Sequence, residues 1–236
     1  MSWGKMIYKI LSKIKNKITF ILGLNILKQE ALVRLALKEI GISYKKLNIV
    51  INHVDGVNII NGVSFPIIYP KSFFFEAKKM MINEKIYQFY FNGNMSENGG
   101  RRKMLEKFEK YNSKIIDSDF GRSVFNKNKF NFDYYNDLSH SEFGLCPHQK
   151  DFVGNKNTMW TYRFIECCMT GAIPVVFKET PLGKEFIDGF NYYMDEVFFD
   201  TSIEYSYKKA IENYDLAFER HTFNEFTVDW LKNELP

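Results

Sequence analysis

The chain has 236 residues, 45% hydrophobic and 17% aromatic, so it can bury a core without disulfide bonds or a structural metal. Its three cysteines include the adjacent pair Cys167 and Cys168, and their spacing provides neither a disulfide framework nor a C-x-x-C metal pair. The net charge is only +4, and after the first 28 residues basic and acidic side chains are interleaved, which argues against a nucleic-acid-binding protein.

The first segment of the chain is basic and amphipathic. Its lysines up to Lys28 all precede Glu30, the first acidic residue, and apolar residues recur at helical spacing over the same stretch. Two interpretations remain open: an ordinary surface helix, or a helix that contacts an anionic membrane surface through residues 1–28. The apolar stretch 18–27 is too short to span a bilayer. We therefore expect a cytoplasmic protein, with peripheral contact to the inner membrane face as an alternative.

The predicted elements divide the chain at about residue 80. We interpret residues 1–80 as a basic, acceptor-side or membrane-proximal region. It contains a predicted helix over 29–40, a strand over 46–51, a loop over 52–56 and irregular structure around Pro66 and Pro70.

Strands and helices alternate over residues 81–236. Strands are predicted over 87–91, 114–117, 142–146 and 173–177, and helices over 101–111, 134–140, 158–170, 204–219 and 225–235. This alternation predicts an α/β fold, a Rossmann-type parallel sheet with helices on both faces. In such sheets, ligands bind beyond the carboxyl ends of the strands.

The segment 143–177 has the pattern of a strand, a long polar loop, a helix and a buried strand. The start of that helix favours an anion, because its N–H groups have no helical partner and the helix dipole is positive there. Thr158 or Thr161 can cap the helix or hydrogen-bond a phosphate. Arg163 can fork onto a diphosphate, and Glu166 can accept hydrogen bonds from ribose hydroxyls. The alternative is a plain salt bridge between Arg163 and Glu166 on a solvated face.

A loop rich in glycine and asparagine, residues 92–100, follows the strand predicted over 87–91. Gly93 permits a tight turn after the strand. Arg101 and Arg102 begin the next helix and can neutralise a diphosphate. Arginine opposes the dipole at a helix start, so its presence favours an anionic ligand over the alternative of two solvated side chains.

These motifs resemble the C-terminal, donor-binding domain of exostosin-like glycosyltransferases, which have the GT-B architecture of two Rossmann-like domains. The matching residues are Cys146, Pro147, Thr161, Arg163, Glu166, Gly171, Ile173, Pro174 and Val175. The resemblance implies a nucleotide-sugar site, with a UDP-sugar as the expected donor and no further cofactor required. Its residues would be Gly93, Arg101, Arg102, Pro147, His148, Lys150, Thr161, Arg163 and Glu166. For His148 and Lys150, exposed loop positions without a ligand are the alternative.

An inverting transfer needs a base that deprotonates the acceptor hydroxyl. In GT-B enzymes this base commonly comes from the N-terminal domain. The first candidate here is Asp55 and the second is His53, both in the loop 52–56. The alternative is that Asp55 only forms a turn beside Gly56. Asp117 and Asp119 form a D-x-D motif. As the alternative to a donor site without metal, these two carboxylates could bind Mn²⁺ or Mg²⁺ together with the diphosphate.

We therefore expect a glycosyltransferase that transfers a sugar from a nucleotide-diphosphate sugar to a glycan or lipid-linked acceptor in polysaccharide or glycoconjugate synthesis. Two alternatives remain: a fucosyltransferase-like GT-B enzyme that uses GDP-fucose, and a non-catalytic nucleotide-binding or scaffold subunit of a glycosyltransferase complex. About 80 residues are too few for a full N-terminal Rossmann domain. A reduced acceptor half, a homodimer or a partner glycosyltransferase is therefore expected.

Overall fold

The computed structural model describes residues 28–52, 57–82, 84–95, 100–118, 130–148, 162–178 and 187–233. Within these ranges, every helix falls short of the length and apolarity that a membrane crossing requires. Most of the basic N-terminal segment, residues 1–27, lies outside the described residues, so its proposed membrane contact stays a prediction.

The first described part of the chain combines two helices with a small antiparallel sheet in the order β1-β2-β3. Its elements are α1 (Lys28–Glu39), a 3-10 turn (Tyr44–Lys46), β1 (Ile49–Asn52), β2 (Val57–Ile60), β3 (Val63–Pro66) and α2 (Lys71–Met80). The predicted helix over 29–40 is confirmed, and Gly41 follows it with a φ of +76°.

The prediction of irregular structure around Pro66 and Pro70 is confirmed for residues 67–70, which form neither helix nor strand, whereas Pro66 itself belongs to β3. Pro66 ends β3, where it pairs with Val57 of β2, and Pro70 precedes the first residue of α2. Asn61 and Gly62 join β2 to β3, both with positive φ, as a tight hairpin turn requires. The Asn-Gly pair between apolar runs is the sequence signal for this hairpin, which was not predicted, and both prolines stand at the ends of elements.

The second sheet has five strands, all parallel to their neighbours, in the order β5-β4-β6-β7-β8. The strands are β4 (Tyr87–Gly93), β5 (Ser113–Asp117), β6 (Ser141–Cys146), β7 (Ile173–Val176) and β8 (Tyr193–Met194). The first four confirm predicted strands, whereas the two-residue β8 was not predicted. The prediction of an α/β fold with a parallel sheet is confirmed, and the sheet is compatible with a Rossmann-like fold.

Helices cover both faces of this sheet, as predicted. They include α3 (Arg101–Glu106), α4 (Phe132–Ser139), α5 (Arg163–Thr170), α6 (Val197–Asp200) and α7 (Tyr207–His221). The helix that follows them, α8 (Glu225–Asn233), packs instead against the first part of the described chain. Phe89 and Phe91 of β4 face a cluster that includes Leu105 of α3 and Phe198 of α6. Tyr90 faces the opposite cluster, which includes residues of α2, α4, α5 and α7. This alternation follows from the two-residue period of a strand.

The central helix α5 is buried along its whole length. It packs directly on β6, because a Cβ atom added to Gly144 would lie 2.1 Å from Sγ of Cys167. Gly171 ends the helix with a φ of +78°, as the sequence predicted. The helix starts at Arg163, and the predicted first residues, 158–161, lie outside the described residues.

A third apolar cluster joins the two ends of the described chain. It contains Val33 and Leu37 of α1, Ile60 of β2, and Phe223 and Leu231 near the end of the chain. Leu32, the neighbour of Val33 on α1, belongs instead to the cluster on the parallel sheet. The predicted division into regions 1–80 and 81–236 stays a prediction, and apolar clusters cross its boundary.

Candidate functional site

The strand order places a switch point between β4 and β6. From β4 the chain passes to β5 on one side, and the later strands β6, β7 and β8 follow on the other side. The helices that follow β4 and β6, α3 and α5, pack on opposite faces of the sheet. Open α/β sheets bind ligands in the crevice beyond the carboxyl ends of the strands at such a switch point.

Arg101 lies across this switch point. Its Nη1 donates to the carbonyl oxygen of Asn94, just after β4, at 3.3 Å. Its Nε donates to the carbonyl oxygen of His148, just after β6, at 3.4 Å. Gly100 precedes it with a φ of +68°, which turns the chain into α3 and is favourable for glycine. A partly exposed guanidinium is thus held over the crevice by long, weak bonds to two backbone carbonyls.

Arg163 is buried beside the same end of β4, with only 2% of its surface exposed. Its Nη2 donates to the carbonyl oxygen of Asn92 at 2.7 Å, and its Cζ lies 4.2 Å from the centre of the Phe91 ring. Within the described residues, its Nε has no hydrogen-bond partner. Burial excludes the alternative of a salt bridge on a solvated face.

Gly93 makes room for this arginine. A Cβ atom at Gly93 would lie 2.6 Å from Nη2 of Arg163, closer than non-bonded atoms approach. Gly93 is the last residue of β4 and is not among the glycines with positive φ. Glycine is therefore needed here because Arg163 approaches closely, and not because of the tight turn expected from the sequence.

Glu166 lies one turn further along α5 and is fully buried, at 0% exposure. Its Oε2 accepts a hydrogen bond of 2.7 Å from the hydroxyl of Tyr134 on α4. Among the described residues, no ion pair joins Glu166 to Arg163, although they are three positions apart. A hydrogen bond is the expected compensation for a carboxyl group in the interior. Burial also raises the pKa of the nearby Tyr90, which keeps its hydroxyl protonated.

The structure places the remaining predicted residues in different environments. Arg102 pairs with Asp117 at 2.6 Å on the surface, and Asp117 also accepts from the backbone N–H of Met95 at 3.0 Å. Asp117 therefore anchors the loop after β4 in this structure. Pro147 and His148 are buried at the end of β6. Six predicted residues lie outside the described ones: His53, Asp55, Asp119, Lys150, Thr158 and Thr161.

A cleft of about 320 Å³ adjoins the start of α3, between that helix and the ends of β7 and β8. Asp195 lies in its wall, and its Oδ1 accepts from the backbone N–H of Lys178 at 2.9 Å. Sequence analysis missed Asp195, because β8, which ends just before it, is too short for a periodicity signal. The lining residues are Gly100, Lys103, Met104, Lys107, Phe177, Lys178, Asp195 and Glu196.

The site is thus the carboxyl edge of a doubly wound parallel sheet, with one arginine over the switch point and a second beneath it. Such an arrangement suits a phosphorylated ligand. No protein-family model matches the sequence, and no curated protein matches it.

Proposed function

We propose that this chain is the donor-binding part of a glycosyltransferase with GT-B architecture. It would transfer a sugar from a nucleotide-diphosphate sugar to a glycan or lipid-linked acceptor. The observation that supports this most directly is the position of Arg101, which bridges the residues after β4 and after β6 at the switch point. The resemblance of the surrounding motifs to exostosin-like enzymes supports the choice of a nucleotide sugar.

Arg101 is the residue to which we assign contact with the diphosphate. A guanidinium has five N–H donors, and the two carbonyl bonds of Arg101 are long enough to yield to a charged phosphate oxygen. Charge builds up on the diphosphate as the bond to the sugar breaks, so a fixed cation stabilises that state.

Arg163 supports this site from beneath. Its guanidinium is buried between Phe91 and the end of β4, where a positive charge is less screened than in water. From this fixed position, the positive charge of Arg163 would favour an anion at the switch point. Glu166, bonded to Tyr134, would hold α5 against α4 and so keep Arg163 in position. We therefore assign Glu166 a positioning role in place of the ribose contact expected from sequence.

Thermal denaturation with UDP, GDP and their sugar derivatives tests the proposal. A ligand at 100 times its Kd stabilises the folded state by about 2.7 kcal/mol, which raises the Tm by several degrees. We expect such a shift for the wild-type chain and its loss in Arg101→Gln. Arg102→Gln is the matched control, because its exposed pair with Asp117 lies outside the assigned contact. Both variants should keep the wild-type circular dichroism spectrum.

Two outcomes would contradict the proposal: no shift with any nucleotide, or equal losses in the two variants. The nucleotide that gives the larger shift separates a UDP-sugar enzyme from one that uses GDP-fucose. A donor-hydrolysis assay with the best ligand then separates an enzyme from a subunit that only binds nucleotide, since the latter shows the shift without turnover.

A further inference from the structure

The cleft between α3 and the ends of β7 and β8 lies at the same, carboxyl edge of the parallel sheet as Arg101. Gly100, which directly precedes Arg101, forms part of its wall. Because neighbouring strands lie about 4.8 Å apart, the end of β8 is about 10 Å from the end of β6. A group bound in this cleft can therefore belong to the same ligand as a diphosphate at Arg101.

The wall of the cleft combines an apolar part with charged side chains. Met104 and Phe177 supply the apolar part, and three lysines and two carboxylates supply the charges. The lysines outnumber the carboxylates, so the wall favours a neutral or anionic ligand over a cation. An apolar surface with a few polar groups is typical of a small-molecule site. The charged residues are Lys103, Lys107, Lys178, Asp195 and Glu196.

Asp195 is the buried carboxylate of this wall, with only 3% of the residue exposed. Its Oδ1 accepts a hydrogen bond of 2.9 Å from the backbone N–H of Lys178, which fixes the orientation of the carboxylate. Within the described ranges no group donates to Oδ2, and this oxygen keeps contact with solvent. Because Asp195 lines the cleft, Oδ2 is available there as a hydrogen-bond acceptor.

The other described carboxylates at this edge of the sheet are already engaged. Both oxygens of Asp117 accept hydrogen bonds from within the protein. Glu166 is fully buried and accepts from a tyrosine of α4. Glu196 has a 53% exposed side chain, and it pairs with Lys178 at 2.8 Å. In the part of the chain that the structure describes, Asp195 thus combines burial, a fixed orientation and an acceptor that faces a cleft.

We propose that this cleft binds a hydroxylated sugar of the nucleotide-sugar donor, and that Oδ2 of Asp195 accepts hydrogen bonds from its hydroxyl groups. This inference rests on the proposed function and adds a residue that determines specificity. A carboxylate oxygen only accepts, so it selects a ligand group that donates. Hydroxyl groups are the donors of a sugar that is linked to a diphosphate. Asp195 therefore takes the contact with sugar hydroxyls that the sequence had assigned to Glu166.

Isothermal titration calorimetry of the wild-type chain and Asp195→Asn tests this inference. The ligands are UDP, GDP, their 2′,3′-dideoxy counterparts, UDP-glucose and GDP-fucose. In the variant, the amide oxygen still accepts from the N–H of Lys178, whereas the position of Oδ2 is taken by an NH₂ group that donates. We expect the Kd to rise about tenfold to hundredfold, because a hydrogen bond to a charged group is lost.

Glu196→Gln is the matched control, because it removes the same charge from the same wall. Its exposed pair with Lys178 contributes little, so the Kd should change by no more than about twofold. The loss of a negative charge favours an anionic ligand in both variants. Weaker binding that is confined to Asp195→Asn therefore reports the lost hydrogen bond and not the change in charge.

The set of ligands identifies which sugar Asp195 contacts. If it contacts the ribose, Asp195→Asn weakens UDP or GDP binding but leaves the dideoxy nucleotides unaffected. If it contacts the transferred sugar, the variant binds UDP and GDP normally and binds the nucleotide sugars more weakly. Equal Kd values in the wild-type chain and Asp195→Asn for every ligand, equal losses in the two variants, or an undiminished loss with dideoxy nucleotides would overturn the inference and leave the proposed function intact. If the wild-type chain binds none of these ligands, both fail.

Discussion

At the scale of single residues, buried polar side chains in this protein bond to backbone carbonyls of distant segments. Arg163 donates to Asn92, and the ring of His221 at the end of α7 contacts the carbonyl oxygen of Ile67 at 2.8 Å. A carbonyl oxygen only accepts, so Nδ1 of His221 carries the proton in this contact. Each of these bonds joins two segments that are distant in sequence at the end of an element.

His221 predicts an acid-sensitive fold. Burial lowers its pKa to about 4, and repulsion from Arg220 acts in the same direction, against the bond to Ile67. The unfolded chain has a histidine pKa near 6.5, so below that pH the unfolded state binds the proton more readily. The free energy of unfolding should therefore fall between pH 6.5 and 4, by about 3 kcal/mol from this residue. Urea unfolding at a series of pH values measures this decrease in the free energy of unfolding.

His221→Gln is the control for that series, because glutamine keeps a side-chain N–H donor and does not titrate in this range. Between pH 6.5 and 4, the free energy of unfolding of this variant should fall by less than that of the wild-type chain. Identical pH dependence in the two proteins would rule out His221 as the source.

At the scale of elements, the position of α5 depends on a close contact with β6. Gly144 lies against Cys167, whose Sγ also lies 3.9 Å from that of Cys146. A side chain at position 144 would overlap the Cys167 sulfur unless the strand, the helix or that side chain shifted. The helix that carries Arg163 is thereby held at a fixed height above the sheet, which places the arginine beside the end of β4.

Gly144→Ala should cost about 1–3 kcal/mol of stability, because the added methyl group meets Sγ of Cys167 in a closely packed interior. The double variant Gly144→Ala/Cys167→Ala removes the obstructing sulfur and should recover at least about 1 kcal/mol relative to the sum of the single changes. Chemical denaturation of the four proteins gives this coupling energy. Simple additivity would show that the strand and the helix do not meet at this point.

At the scale of the whole molecule, α1 links the two sheets. It presents Leu32 to the cluster on the parallel sheet and Val33 to the cluster that contains Leu231. The last helix, α8, therefore packs against the start of the described chain. Such shared clusters favour cooperative unfolding of the described parts as one unit.

Leu231→Ala tests that cooperativity. The loss of a buried leucine should lower the free energy of unfolding by about 2–5 kcal/mol, and the shift should be equal by far-ultraviolet circular dichroism and by tryptophan fluorescence. Phe226→Ala on the same helix is the matched control: its side chain is 83% exposed, so a change within about 0.5 kcal/mol is expected. Two separate transitions in the variant would instead support independent units.

The sequence by itself determined the class of fold and the positions of most elements. Strands such as 87–91 and 142–146, and helix ends such as Gly41 and Gly171, depend on local periodicity and backbone preferences, which neighbouring residues reveal. The sequence also predicted that Arg101 and Arg163 contact an anion, and this stays a prediction. The hairpin at Asn61 and Gly62 is equally local, because its Asn-Gly turn is a short-range signal, but no element was predicted there.

Only the tertiary structure decided which of these side chains meet. The order of the parallel strands places Arg101 at the switch point, and the approach of α5 to β4 explains both the burial of Arg163 and the glycine at position 93. Lys85 donates hydrogen bonds to the carbonyl oxygens of Ser139 and Gly171, which stand 54 and 86 positions further along the chain, so no local motif predicts these bonds. Contacts between segments distant in sequence depend on the packing of the whole sheet, and no local pattern encodes that packing.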